Sequence, residues 1–235
     1  MKTSMRVLGF TLLGCLMCGA IAVGSATSRL PSYSYSLSDY QRALEKITGA
    51  LRPVLKGGTT GVRLSYAATC TADTNLPPIP PLILDEPPQS SLGLSAGQQV
   101  FRHDQEVKVT GSARGIFRIR IGDVPEKLVM TRIRELKLRP RGQYNSDLII
   151  AALENSTEMG HAMDALHMLP LSVLYLYQTQ APEPGIRHFS SVSRDMTVDE
   201  VLDELAVVFK GVVVCGVCTD GPTPRRFYIS FAYVI

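Results

Sequence analysis

The segment from Arg187 to Val234 restricts the architecture most, because its punctuation leaves little choice of secondary structure. Thr197-Val-Asp-Glu200 has the form of a capping box: the threonine hydroxyl accepts from the third helical amide and the glutamate reaches back to the threonine amide. Val198, Val201, Leu202, Leu205, Val208 and Phe209 then recur on one helical face, and Lys210-Gly211 supplies the stop signal. Arg187–Val192 before this helix reads as a strand. Val212–Cys218 and Arg226–Val234 after it read as two more, joined by the turn Asp220-Gly-Pro-Thr-Pro224. The predicted order is strand, helix, strand, strand.

A second unit lies near the other end. Ser38-Asp39-Tyr40-Gln41 resembles a capping box, and Tyr40, Ala43, Leu44, Ile47 and Leu51 follow at helical spacing until Pro53, which should halt the run. Glycines 57, 58 and 61 break the chain, and Val62-Arg-Leu-Ser-Tyr66 alternates as a strand towards Cys70. Between Leu76 and Ser91 stand six of the 15 prolines, which neither a helix nor a central strand tolerates, so an extended segment is predicted, either a connector or laid over a surface. Glu106–Thr110 and Gly115–Gly122 read as strands, the second with Arg118 and Arg120 on one face. Asp123–Glu126 starts a short helix carrying Leu128, Val129 and Ile133, and Leu136–Arg139 is a further strand. A long helix from about Ser146 to Leu169, bent at Gly160, and a strand Leu171–Gln178 complete the pattern. The two capped helices, each followed by glycine and a strand running into Cys-Thr, form a weak internal echo, with the middle helix and the Leu171 strand as a third copy.

The fold class expected is therefore α+β, with two or three small β-α-β-β-like modules joined by a Pro-rich connector. The boundaries fall at 1–26 for an export signal, 27–75 for a helix-strand module, 76–97 for the connector and 98–235 for a C-terminal α+β domain. Composition agrees: 45% hydrophobic and 19% charged residues exclude disorder and a many-span membrane protein.

Lys2 and Arg6 are the only charges in the first 26 residues, and an uncharged stretch from Val7 to Ala26 follows them. Gly24 and Ala26 stand at the spacing a signal peptidase accepts, which places cleavage between Ala26 and Thr27. Two alternatives are a lipobox, Leu12-Leu-Gly-Cys15, with Cys15 lipidated, and an uncleaved anchor, since this stretch reaches the ~20 residues that span a bilayer. Each puts Ser28 onwards across a membrane: periplasmic or secreted, with an outer-membrane lipoprotein or inner-membrane anchor as alternatives. Cleavage lowers the formal charge from +3 to +1 and leaves three cysteines, Cys70, Cys215 and Cys218.

Cys215-Gly-Val-Cys218 has the spacing of a redox pair, but it lies along a strand and not at a helix N-terminus, where a thiol pKa is lowered. In a regular strand its sulfurs point to opposite faces with Cα atoms about 10 Å apart, beyond the ~7 Å limit for a bridge. The reading suited to an oxidising compartment pairs Cys70 with Cys215 or Cys218 and leaves one thiol over. A zinc site from Cys215 and Cys218 with two of His103, His161, His167 and His188 is possible on count alone, but His161 and His167 are six apart and do not share a helical face, so no metal ligand set is assigned. Glu154 and Glu158 share a helix face and read as solvated. No catalytic residue and no cofactor motif is identified.

Residues 102–141 hold 11 of the 24 basic residues against five acidic ones. Arg114, Arg118, Arg120, Arg132, Arg134, Lys137, Arg139 and Arg141 form the candidate basic patch. Phe101 and Phe117 are the only aromatics in or beside it, too few for nucleic-acid stacking, so a solvated sheet face or a surface for an anionic envelope component or acidic partner is expected.

Phe189-Ser-Ser-Val-Ser-Arg-Asp-Met-Thr-Val-Asp-Glu-Val-Leu-Asp-Glu-Leu-Ala206 followed by Val212-Val-Val resembles the short N-terminal module of secretins and TonB-dependent receptors, over about residues 186–234. The chain departs from that pattern in carrying Cys215 and Cys218 and in having no pore or barrel after the module. The resemblance implies a small periplasmic α+β unit that docks other proteins and transfers no catalytic residue. The function expected is that of an exported bacterial envelope protein with a non-enzymatic binding or assembly role. Its partner is another envelope protein or an anionic envelope component, not nucleic acid, and membrane association runs through the N-terminal segment alone. The alternative is thiol-disulfide activity at Cys215 and Cys218.

Overall fold

Alternation along β1 (Gly61–Thr69) decides how the molecule is layered. Val62, Leu64, Tyr66 and Ala68 enter one apolar core, whereas Arg63 and Ser65 face the other side of the sheet. The computed structural model describes residues 37–56, 61–71, 76–86, 93–112, 115–138, 146–171, 192–221 and 224–233. β1 shares a sheet with β2 (Val107–Gly111), β3 (Ile116–Ile121), β5 (Met168–Pro170), β7 (Gly211–Asp220) and β8 (Arg225–Tyr233), in the order β2-β3-β1-β7-β8-β5. β1 runs parallel to β3 and β7, β5 runs parallel to β8, and the hairpins β2–β3 and β7–β8 are antiparallel. A second, two-stranded sheet pairs β4 (Arg132–Lys137) antiparallel to β6 (Val192–Thr197).

Helices cover both faces of the large sheet. On one lie α1 (Leu37–Lys56) and α2 (Gly93–Val100), whose Tyr40, Leu44, Ile47, Leu51, Val54, Ala96 and Val100 are buried against Val62, Leu64, Phe117, Ile119, Val212 and Val214. On the other lie α3 (Glu126–Val129), α4 (Ser146–Glu154), α5 (Thr157–Ala165) and α6 (Val198–Phe209). Their apolar residues share a core with Val213, Cys215, Val217, Phe227 and Ile229 of the large sheet and Ile133 and Leu136 of the small one. At about 1.5–3 kcal/mol for each large side chain withdrawn from water, the buried face of α6 alone is a major fastening. β4-α4-α5-β5 and β6-α6-β7 are two successive passages, each starting in the small sheet and ending in the large one.

Gly61 and Gly216 are among the glycines that permit close approach. A Cβ on Gly61 would lie 2.5 Å from the Ala206 carbonyl oxygen, so α6 can rest directly on β1, and a Cβ on Gly216 would lie 2.4 Å from the Tyr66 hydroxyl. The Tyr66 ring crosses β7 there and its hydroxyl donates to the Pro77 carbonyl at 2.6 Å. Tyr40 and Tyr228 meet edge to face with centroids 5.4 Å apart, and Tyr40 Oη lies 2.8 Å from Ser230 Oγ.

The α+β class, the strand-helix-strand-strand order and the Thr197–Glu200 capping box are all present, with Lys210 closing α6 in the left-handed conformation at φ 50°. The division into modules differs. β1 stands at the middle of the sheet between strands drawn from beyond residue 98, so 27–75 and 98–235 contribute to one sheet and the segment between them is not a boundary of the core. Residues 76–86 are laid over a surface: Leu76 and Ile79 are buried in the α1 core, and Asp85 N donates to the Val100 carbonyl at 2.8 Å. α2 begins at Gly93, within the range assigned to the connector.

Several element ends also shift. α1 starts at Leu37, so Ser38 lies inside its first turn and not at its cap; it continues through Pro53 to Lys56, because fully buried Leu51 and Val54 anchor the last turn despite the lost amide. The middle helix breaks at Asn155-Ser156, not at Gly160. Asn155 Nδ2 donates to the Ala151 carbonyl at 2.7 Å, and Ser156 caps α5 by accepting from Met159 N at 3.3 Å. Ile133 belongs to β4 and not to the short helix, and a strand occupies Val192–Thr197 directly before α6. The export segment 1–26 with Cys15, Ala26 and Thr27, the strand predicted at 171–178 beyond Leu171, and residues 187–191 lie outside the described residues. Among the described residues no helix is long and apolar enough to cross a membrane.

Candidate functional site

Among the described residues, polar side chains converge most densely beneath the first two turns of α6. Asp199 and Asp203, four residues apart, share one side of the helix and meet Arg63 of β1 and Arg118 of β3, which are themselves partners in the strand register. Arg63 Nη1 donates to Asp203 Oδ1 and to the Asp199 carbonyl oxygen, both at 3.1 Å; its Nη2 pairs with the Asp199 carboxylate and its Nε donates to Ser65 Oγ at 3.3 Å. Arg118 Nη2 pairs with the Asp203 carboxylate and lies 3.1 Å from Asp199 Oδ2, while its Nε donates to Asp203 Oδ1 at 3.3 Å. The Arg63 and Asp203 side chains are 8% and 5% exposed, whereas Arg118 remains 34% exposed.

Two guanidinium groups and two carboxylates make the cluster neutral, which is what allows it to be buried. Burial by itself would lower the Arg63 pKa, but the hydrogen bond and charge of Asp199, with the charge of Asp203, outweigh it and hold the group above its ordinary value. Each carboxylate is already paired with both arginines. The arrangement therefore fastens α6 across β1 and β3, and Arg118 and, less, Asp199 are its contacts with water.

Cys215 lies next to this cluster, in register with Ser65. Its thiol is free and buried, and desolvation pushes its pKa up to about 12 against the opposing influence of Arg63. A thiol so placed supplies no thiolate at neutral pH. Cys70 and Cys218 form a disulfide with Cα atoms 5.6 Å apart, selecting Cys218 from the two candidate partners. Cys215 packs in the α6 core and Cys218 in the α1 core, on opposite faces of β7, so the thiol-disulfide pair Cys215–Cys218 is not formed.

The described members of the basic patch have different surroundings. Arg118 is taken into the ion cluster, Arg120 Nη2 donates to the Val124 carbonyl at 2.9 Å, and Arg132 pairs with Asp195 at 2.5 Å on the small sheet. Arg134 is exposed on β4 with its amide donating to Glu158 Oε1 at 3.4 Å, and Lys137 ends that strand. Arg114, Arg139 and Arg141 lie outside the described residues, as does His188. Glu154 and Glu158 fall on separate helices, and Glu154 is buried, not solvated. His103 Nδ1 lies 3.0 Å from the Asp85 carboxylate, and that hydrogen bond holds Asp85 below the usual carboxylate range. Among the described residues no three His, Cys, Asp or Glu side chains are gathered as a metal site requires.

Sequence reasoning missed Arg63, Asp203 and the pairing role of Asp199. The available signal was an arginine near the start of a mostly apolar strand, together with two aspartates four apart on a helix with a wide apolar stripe. Comparison of the chain with protein-family models, with curated proteins and with solved structures gives no match in any of the three.

Proposed function

We propose that this chain is an exported bacterial envelope protein with a non-enzymatic binding or assembly role. The observation that carries the reading is the Cys70–Cys218 disulfide, which joins neighbouring strands across 148 residues and belongs to an oxidising compartment. Two features support the binding role. The densest polar constellation among the described residues, Arg63, Arg118, Asp199 and Asp203, has its charges turned on each other. The unit β6-α6-β7-β8 has the strand, capped helix, strand, strand order of the short N-terminal module of secretins and TonB-dependent receptors, whose resemblance implies protein docking. The N-terminal segment supplies the export signal, by cleavage after Ala26, lipidation at Cys15 or retention as an anchor.

Expression of the full chain in a bacterial host, with photo-crosslinking side chains placed singly at exposed Lys108, Arg134 and Leu148, tests the reading. The expected result is an oxidised Cys70–Cys218 pair and a discrete crosslinked species in the envelope fraction from at least one position. Recovery of a reduced chain in the cytoplasm, or no crosslink from any position, overturns it. The mass of the mature N-terminus separates cleavage, lipidation and anchoring.

A further inference from the structure

The outer strand β2 carries a charge and hydrogen-bonding pattern that nothing else in the described chain uses. Its one strand partner among the described residues is β3. Ser112 N donates to the Ile116 carbonyl at 2.9 Å, so Ser112 and Ile116 are a hydrogen-bonded pair, and alternation makes Thr110–Arg118 and Lys108–Arg120 hydrogen-bonded pairs as well. Val109 and Gly111 consequently turn their amides and carbonyls away from β3, along an edge with which no described strand pairs.

The two faces beside that edge differ sharply. On one, Lys108 and Arg120 are exposed neighbours with the open side of Arg118 beside them, and among the described residues no carboxylate lies within ion-pair distance of Lys108 or Arg120. On the other, Val107 and Val109 are half-buried against the α1 core, and exposed Leu94 lies next to Gly111. A strand added here would place successive side chains alternately on a cationic shelf and on an apolar one. A second copy of β2 does not fit, since antiparallel self-pairing would gather both copies of Lys108 and Arg120 on one face.

We infer that the β2 edge receives an extended segment of a partner protein in which acidic and apolar residues alternate, bound by strand addition. The inference rests on the binding role proposed above and gives it an address. The probe is a fluorescent Glu-Val repeat peptide about six residues long, the common strand length, titrated into the full chain by anisotropy. Saturable binding is expected that weakens with added salt and falls about tenfold in the Lys108→Glu, Arg120→Glu double variant. Val109→Pro, which removes an outward amide while leaving the β2–β3 bonds in place, should abolish it, and N-methylation of alternate peptide amides tests the same bonds without altering the protein. Equal affinity for a Lys-Val repeat, or indifference to both the charge reversal and the N-methyl groups, overturns the inference and leaves Lys108 as a guard against edge pairing. Crosslinks in the envelope from Arg134 or Leu148 with none from Lys108 would remove the β2 address while the binding role stands; silence from all three removes both.

Discussion

α1 and α6 each lead into one of two adjacent parallel strands, β1 and β7, yet they hold the sheet by different means. α1 meets it through Tyr40, Leu44, Ile47, Leu51 and Val54, with the Tyr40–Ser230 hydrogen bond among its polar contacts. α6 uses Val201, Leu202 and Leu205 in the same way, but also places Asp199 and Asp203 on Arg63 and Arg118. An apolar face tolerates small displacements, because any similar contact recovers most of the transfer energy. A four-charge cluster does not: shifting α6 by one residue would strand buried charges, so the ionic side fixes the position of the helix more than it adds to stability.

The largest effect expected is on what both helices share. Replacing Cys70 and Cys218 with alanine releases a closed loop of 148 residues and should cost ~5 kcal/mol in the chain-entropy account, read from urea unfolding. Equal loss of protection around α1 and α6 in hydrogen exchange would show one cooperative unit; loss confined to one helix would separate the two cores. Next comes Arg63→Ala, which removes the buried guanidinium shared by Asp199 and Asp203, leaves both carboxylates to Arg118 alone and should cost about 3–5 kcal/mol, whereas replacing Arg63, Arg118, Asp199 and Asp203 together by apolar residues of similar volume should recover most of that loss. No recovery would mean that the cluster is a net source of stability, against the comparison drawn here. On the opposite face of the same strand, Leu64→Ala should cost about 2–4 kcal/mol, with no set of partner changes able to restore it except refilled volume.

Alkali gives the smallest and most selective test. The Cys215 thiol in the α6 core and the Tyr228 phenol in the α1 core are both pushed up to about 12, from ordinary values of 9.0 and 10.0. Above those ordinary values the unfolded chain loses the protons first, so it binds fewer of them and stability falls as pH rises towards 12. Cys215→Ala should remove the part of the decline that begins near 9, and Tyr228→Phe the part that begins near 10, measured as melting temperature against pH. In the folded protein near pH 8, Cys215 should resist iodoacetamide until denaturant is added.

What the sequence made legible follows from range. α6 was readable because Thr197, Glu200, Lys210 and its apolar stripe all lie within 15 residues, and the hairpin β7–β8 because a Gly-Pro turn separates two apolar runs. The three-cysteine arithmetic narrowed the disulfide to two options, and the opposed faces of β7 decide between them. The ion cluster was not readable, since Arg63 and Asp199 stand 136 residues apart and no local pattern pairs them. The same holds for β1, whose place between β3 and β7 is a matter of sheet order. Pro53 and Gly160 misled for another reason: propensity was overruled by buried anchors in α1 and by the stronger turn chemistry of Asn155-Ser156.

The central position of β1 also has a meaning in time. It is among the first elements to be synthesised, but its neighbours are β3 and, far later, β7, so for most of the chain's emergence both of its edges or one of them lack a partner. The sheet can be completed only when the last hairpin is available, and any product cut short before Gly211 is left with a bare, apolar strand where the finished protein has its middle.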